Sequence, residues 1–163
     1  MDAQDRYVIR PVARADLPLI GRWRTLPHVA RWWGEASVEP EIEKLADPRI
    51  AMWLVEQDGR PFAFVQDYDV HGWSPHPFAH LPPGSRGMDL YVGEPPMVGR
   101  GHGSRLLRQH VDDLFRRGVP AVGIDPHPDN GPARRCFEKA GFAAVAGPLD
   151  TPWGRAILME RHA

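Results

Sequence analysis

The sequence has a single cysteine, Cys136, so no disulfide can form within the chain. It has no run of about 18 consecutive apolar residues, which excludes a helix long enough to span a bilayer. The N-terminal segment lacks a basic stretch followed by an apolar one, so we expect no signal peptide and a cytoplasmic location. The net charge is only −1, which offers little attraction for nucleic acid.

The overall composition is that of an ordinary globular protein. The 163 residues are 42% hydrophobic and 25% charged, which predicts one domain over residues 1–163 with a packed core. The 16 glycines and 18 prolines follow no period, which excludes collagen. A proline-rich stretch at residues 71–84 predicts an irregular loop in the middle of the chain.

Charge is distributed unevenly along the chain. Residues 35–94 hold eleven acidic and four basic side chains, a balance of −7, and the rest of the chain has a balance of +6. An uneven but merely solvated surface would give this pattern. The alternative is an acidic site for a cationic ligand beside a basic site for phosphates.

The eight histidines do not form a metal-binding pattern. Only His71, His76 and His80 lie close together in sequence, and they fall in the proline-rich loop with no cysteine nearby. We therefore expect no metal site.

Hydrophobic periodicity predicts a mixed α/β order of seven strands and four helices. Asp16 is the predicted N-cap of the first helix, Pro27 its end, and residues 58–59 a hairpin turn. Strands are predicted at residues 7–12, 51–56, 60–68, 88–92, 121–124, 142–146 and 155–160. Helices are predicted from residue 17 to about residue 24 and after residue 103 as far as Gly118. Residues 28–34 are predicted as a short helix or turn. A last helix, capped by Asn130 or Asp129, is predicted as far as Gly141.

A glycine-rich segment precedes the most amphipathic of these helices. Residues 98–104 read Val-Gly-Arg-Gly-His-Gly-Ser, and such a segment lets backbone N–H groups approach an anion at a helix N-terminus. It is not a nucleotide-triphosphate loop, because Arg105 follows Ser104 and the Gly-Lys-Ser/Thr ending is missing. It is not a dinucleotide fingerprint either, because Ser104 occupies the place of the third glycine.

The segment resembles the pyrophosphate loop of the GNAT superfamily of acetyl-CoA-dependent N-acetyltransferases. Residues 130–142, Asn-Gly-Pro-Ala-Arg-Arg-Cys-Phe-Glu-Lys-Ala-Gly-Phe, resemble a second motif of the same superfamily. The resemblance implies a single α/β (α+β) domain of GNAT type. Its mixed central sheet would have about six to seven strands flanked by about four helices.

Three further segments resemble aminoglycoside 6'-N-acetyltransferases. They are residues 28–34 (His-Val-Ala-Arg-Trp-Trp-Gly), 86–89 (Arg-Gly-Met-Asp) and 125–130 (Asp-Pro-His-Pro-Asp-Asn). Siderophore-type lysine N-acyltransferases share the framework but more often carry His at the strand position of Asp89, so Asp89 favours the aminoglycoside type.

The resemblance implies roles for residues on the acetyl-CoA side. Asn130 would hold the pantetheine arm, and the loop would hold the pyrophosphate. Phe137 stands where the superfamily often has a Tyr credited with protonating the thiolate, and a phenyl ring has no proton to give. Val98 stands where Gln or Arg is common. The residues implied to bind the cofactor are Leu90, Tyr91, Val92, Val98, Gly99, Arg100, Gly101, His102, Gly103, Ser104, Asn130, Ala133 and Phe137.

The acceptor side follows from the same resemblance. Asp89 would be the catalytic base, since a primary amine is mostly protonated at neutral pH and must lose a proton. A purely structural Asp89, paired with Arg86, is the alternative. The relatives tend to carry an acid in the loop after Gln66, where this chain has His71. The implied acceptor-binding residues are Trp32, Trp33, Gln66, Asp67 and Asp125.

These features predict an enzyme that moves an acetyl group from acetyl-CoA to a small cationic amine, as a monomer or homodimer. A siderophore-type or lysine-like N-acyltransferase is the alternative enzyme. A non-catalytic acyl-CoA-binding module is the alternative outside enzymes, and Phe137 is compatible with it.

Overall fold

A computed structural model describes residues 6–34 and 38–163 of the chain. These residues form seven strands and five α-helices. The strands are β1 (Val8–Pro11), β2 (Ile50–Gln57), β3 (Arg60–Asp69), β4 (Arg86–Val92), β5 (Ala121–Ile124), β6 (Ala143–Thr151) and β7 (Gly154–His162). The helices are α1 (Leu17–Thr25), α2 (Pro27–Trp33), α3 (Val38–Ala46), α4 (His102–Arg116) and α5 (Gly131–Lys139). None of the described helices is long and apolar enough to cross a membrane.

The strands form one mixed sheet in the order β1-β2-β3-β4-β5-β7-β6. β1 is antiparallel to β2, and β7 is antiparallel to both β5 and β6. β4 and β5 are parallel, which requires the crossover that α4 supplies. The predicted mixed sheet of six to seven strands is confirmed.

Five helices were found where the sequence predicted about four. The additional helix, α3, has Pro40 as its third residue. Proline in the first turn costs little, because the N–H groups there have no partner within the helix. The apolar residues Val38, Ile42, Leu45 and Ala46 fall at the helical spacing i, i+4, i+7 and i+8, so the signal for this helix was present and was missed.

The first helix begins where predicted, at Leu17, but Asp16 does not cap it with its side chain. The Asp16 carboxylate instead accepts hydrogen bonds from Arg10, at 2.8 and 2.9 Å, and from the Ala13 N–H, at 2.7 Å. Arg10 holds the pKa of Asp16 below its usual value. Pro27 ends α1, as predicted, because it favours the extended conformation of Leu26 (ψ 137°), and it also opens α2.

The contacts along the chain group into two compact units. One comprises the residues up to Gln66 together with Leu90–Leu106, and the other comprises Asp67–Asp89 and Leu107–Ala163. We call them the first and second units. The first unit has a core of buried side chains from its strands and first two helices: Val12, Leu17, Ile20, Trp23, Val29, Met52, Leu54, Phe64 and Tyr91.

Trp23 anchors the segment that follows β4 in the first unit. A Cβ on Gly93 would lie 2.2 Å from the Trp23 ring, so only glycine fits against the indole. The Trp23 Nε1–H donates to the Glu94 carboxylate at 2.9 Å. This packing fixes the start of the connection that leads to α4.

Candidate active site

The glycine-rich segment lies in the first unit, between a 3₁₀ turn at Pro95–Met97 and α4. Gly99 and Gly101 have φ angles of 73° and 81°, in the left-handed region that favours glycine. A Cβ on either residue would meet no atom within 4 Å, so one side of the segment is open. The first N–H groups of α4 have no partner within the helix. Open, donor-rich backbone at a positive helix end fits a diphosphate.

Several bonds tie this segment to α4. The Ser104 Oγ–H and the Arg105 Nε–H both donate to the Gly101 carbonyl, at 3.2 and 3.4 Å. Arg100 is exposed, which leaves its guanidinium accessible to a phosphate, whereas His102 is buried. Val98 is 45% exposed, so it is not part of the core.

The strand residues implied to contact the acyl donor are the last three of β4: Leu90, Tyr91 and Val92. The Val92 carbonyl accepts a hydrogen bond from His28 Nε2 at 3.0 Å. The N–H groups of Gly93 and Glu94 both donate to the Phe62 carbonyl, at 2.7 and 3.2 Å. Two successive residues directly after β4 thus bond one residue of the neighbouring strand, which is the arrangement of a β-bulge.

The two adjacent tryptophans at the end of α2 have different surroundings. The Trp33 ring packs against the first unit's core, 4.9 Å from the Tyr91 ring and 6.0 Å from the Phe64 ring. Trp32 lies under the Arg31 guanidinium at 4.7 Å. Trp33 therefore serves packing, and Trp32 is the better of the two candidates for contact with an acceptor.

In the second unit, Asn130 caps α5. Its Oδ1 accepts a hydrogen bond from the Ala133 N–H at 3.2 Å, as expected for an N-cap. That bond uses the amide oxygen and leaves the Nδ2 hydrogens for another acceptor. Phe137 is 8% exposed and packs into the interior from the same helix.

Two carboxylates of the second unit follow the paired part of neighbouring parallel strands: Asp89 lies within β4 and Asp125 directly follows β5. β4 and β5 pair with Arg86 opposite Val122 and Met88 opposite Ile124. The next step of this register brings Asp89 level with Asp125, and residues at the same level of a parallel pair project to the same face. Burial, together with the charge of Asp89, raises the pKa of Asp125 to about 8.

Aromatic rings border this carboxylate pair. A Cβ on Gly87 would lie 2.3 Å from the Tyr68 ring, so this glycine makes room for the ring on the face that carries Asp89. Burial and the charges of Asp89 and Asp125 raise the pKa of the Tyr68 hydroxyl well above its usual value, so the phenol is neutral. Trp73 and His76 pack against Tyr68, with ring centroids 5.9 and 5.5 Å away.

Asp67 does not join this pair, contrary to the sequence prediction. Its side chain is buried and accepts hydrogen bonds from Arg86 Nε at 2.8 Å and from His110 Nε2 at 3.1 Å. Successive residues of a strand point to opposite faces, so Asp67 cannot face the same way as Gln66 and Tyr68. Its two oxygens are used on the face covered by α4, which makes Asp67 structural.

Sequence analysis proposed Asp89 and Asp125 as site residues and did not name Tyr68. The period-two alternation of β3, which places Tyr68 on the face of Gln66, was the signal available for it. Among the described residues, no group of three or more histidine, cysteine, aspartate or glutamate side chains is arranged to hold a metal ion.

Comparison with known proteins shows the family of this chain. The profile of the acetyltransferase (GNAT) domain matches residues 12–147. The chain belongs to the GNAT acetyltransferase family. The predicted membership of the GNAT superfamily is thereby confirmed.

The relatives of this GNAT acetyltransferase include aminoglycoside-modifying enzymes. It is 29% identical to the aminoglycoside N(6')-acetyltransferase type 1 of Klebsiella pneumoniae over 172 aligned positions, which cover 97% of this chain and 84% of the relative. The solved structure of AAC(6')-Ib with ribostamycin and coenzyme A has a TM-score of 0.87 at 29% identity, covering 97% of this chain and 94% of the other. The structure of AAC(6')-Ib with paromomycin and acetyl-CoA has a TM-score of 0.86 at 28% identity and covers the same shares of the two chains.

Proposed function

We propose that this GNAT acetyltransferase moves the acetyl group of acetyl-CoA to a primary amine of an aminoglycoside. The observation that carries the proposal is the pair of carboxylates, Asp89 and Asp125, which the register of β4 and β5 brings level on one face. Two acids beside neutral aromatic rings suit a ligand with several ammonium groups on apolar sugar rings. The relatives with bound aminoglycosides support the same acceptor class.

The first unit supplies what the acyl donor requires. The open side of Gly99 and Gly101 and the N-terminus of α4 would receive the pyrophosphate, with Arg100 beside it. Acetyl-CoA, when bound, supplies a thioester whose carbonyl carbon is open to attack by an amine. The backbone of Leu90, Tyr91 and Val92 would hold the pantetheine arm by main-chain hydrogen bonds, as the resemblance implies.

The second unit supplies the acid–base chemistry. Asp89 would accept a proton from the acceptor's ammonium, directly or through one water, so that the free amine forms the C–N bond as the C–S bond breaks. Asp125 would bind a second ammonium group of the acceptor. The nitrogen still carries a second surplus proton after the C–N bond forms. That proton would pass through water or another group to the departing thiolate, because the Phe137 ring has no proton to give.

The direct test is thiol release from acetyl-CoA across a panel of acceptors: aminoglycosides, polyamines, lysine derivatives and peptides. We expect the highest kcat/KM on an aminoglycoside such as kanamycin or ribostamycin. A lysine side chain as the best acceptor would instead indicate a siderophore-type N-acyltransferase. Release with none of them, in a protein that binds CoA, would indicate a binding module.

Acceptor binding is expected to respond to the protonation of Asp125. Its pKa is raised to about 8, so the carboxyl is largely neutral below that pH and gains its charge as the pH rises through it. KM for a cationic acceptor should therefore fall between about pH 6 and about pH 8, by up to about tenfold per unit. The measurement is KM against pH for the wild type and for Asp125→Asn.

The Asp125→Asn variant also serves to separate the two sources of pH dependence. The acceptor's own amines lose their protons in the same range and weaken binding in both proteins. Only the wild type should show the strengthening that comes from Asp125. Parallel KM profiles for the two proteins would contradict the role of Asp125 in binding the acceptor.

A further inference from the structure

A buried hydrogen bond connects the start of the chain to the glycine-rich segment. The Tyr7 hydroxyl lies 2.7 Å from His102 Nδ1, although the two residues are 95 positions apart. Tyr7 immediately precedes β1 and is 5% exposed, and His102 is the first residue of α4. Both lie in the first unit, and the Phe62 ring packs against both, with centroids 5.3 Å from each.

The same ring nitrogen receives a second donor. Arg105 Nη2 lies 3.2 Å from His102 Nδ1, and a guanidinium only donates hydrogen bonds. Nδ1 must therefore be the acceptor, which makes the Tyr7 O–H a donor and places the ring proton on Nε2. Burial and the charges of Arg105 and Arg100 lower the pKa of His102, which keeps the imidazole neutral at pH 7.

Arg105 extends this connection to the glycine-rich segment itself. Its Nε–H donates to the Gly101 carbonyl at 3.4 Å, and its guanidinium lies over the Tyr7 ring at 5.9 Å. Tyr7, His102 and Arg105 thus form a brace behind the segment. Its Tyr7 and His102 side chains are buried, whereas Gly99 and Gly101 are open on one side.

We infer that Tyr7 is a positioning residue of the acetyl-CoA site, which holds the N–H groups at the start of α4 in place through its hydrogen bond to His102. The inference rests on the proposed function, in which those groups receive the pyrophosphate. A segment with two left-handed glycines has many conformations open to it, and ordering it on binding would weaken affinity. The brace removes that ordering step before the ligand arrives.

The test is Tyr7→Phe, which removes the hydroxyl and keeps the ring that packs on Phe62. We expect the Kd for CoA, measured by calorimetry, and the KM for acetyl-CoA to rise about 3- to 10-fold, in line with the loss of one buried hydrogen bond. The kcat at saturating acetyl-CoA should stay within about twofold. A residue that only stabilised the fold would lower the melting temperature without this split between KM and kcat.

Arg10→Gln is the matched control. Arg10 belongs to β1, which follows Tyr7, and its guanidinium binds Glu56 and Asp16 at 2.6 and 2.8 Å, away from the glycine-rich segment. We expect a lower melting temperature and an unchanged Kd for CoA. An equal rise in Kd for Arg10→Gln and Tyr7→Phe would overturn the inference, because general loosening of β1 would then explain both.

His102→Leu tests the same hydrogen bond from its other end, since leucine cannot accept a hydrogen bond from the Tyr7 hydroxyl. The double variant Tyr7→Phe/His102→Leu should bind CoA no more weakly than His102→Leu alone, because both changes break one interaction. Additive losses would overturn the inference. Failure of the wild-type protein to bind CoA would refute the proposed function instead, so the two failures are distinguishable.

Discussion

Replacing Asp89 with asparagine is expected to lower kcat/KM for the best aminoglycoside by about 10²- to 10⁴-fold, the usual contribution of a positioned base. Asparagine keeps the size of the side chain but can take no proton from an ammonium group. Affinity for CoA should change by no more than a few-fold, because the contacts expected for the thioester come from the backbone. Initial rates of thiol release and calorimetry with CoA measure the two quantities.

Asp150→Asn is the control for the loss of one negative charge. The Asp150 side chain is 85% exposed and lies in β6, loosely paired with Arg155 at 3.4 Å. Its removal should leave kcat/KM near the wild-type value. Near wild-type turnover in Asp89→Asn would show that Asp89 is a structural acid. The proposal of an aminoglycoside rather than a lysine-like acceptor would then lose the residue that supports it most.

The parts of this structure that sequence predicts well are those fixed by local pattern. The amphipathic period after residue 103 predicted α4. Asn130 or Asp129 was expected to cap the following helix, and Asn130 does. Asp89 and Asp125 were proposed as site residues from motif position alone. Their proximity depends on the register of β4 against β5, which no local pattern contains.

The failures have physical causes as well. Asp67 and Gln66 were both predicted to meet the acceptor, although neighbours in a strand point to opposite faces. The bonds of Asp67 to Arg86 and His110 join residues 19 and 43 positions away, which sequence pattern does not reveal. Tyr7 was missed for the same reason, since its only visible feature in the sequence is an alternating strand.

Gly101→Val is expected to weaken CoA binding tenfold or more, which corresponds to at least about 1.4 kcal/mol. Gly101 has a φ of 81°, and a β-branched residue is strained in that region, so the backbone of the segment must move. The movement carries the first N–H groups of α4 away from the position in which they would meet the pyrophosphate. The new side chain would also project into the open side of the segment.

Gly118→Val is the matched control, because Gly118 follows the other end of the same helix. Its φ is 93° and a Cβ there would also meet nothing within 4 Å, so the substitution imposes a similar backbone strain. The two glycines are separated by the length of α4, about 1.5 Å per residue along its axis. Both variants should therefore lose stability, and only Gly101→Val should lose affinity for CoA. A folded Gly101→Val protein that binds CoA with the wild-type affinity in calorimetry would contradict the assignment of the pyrophosphate to this segment. No binding mode that uses these N–H groups tolerates their displacement.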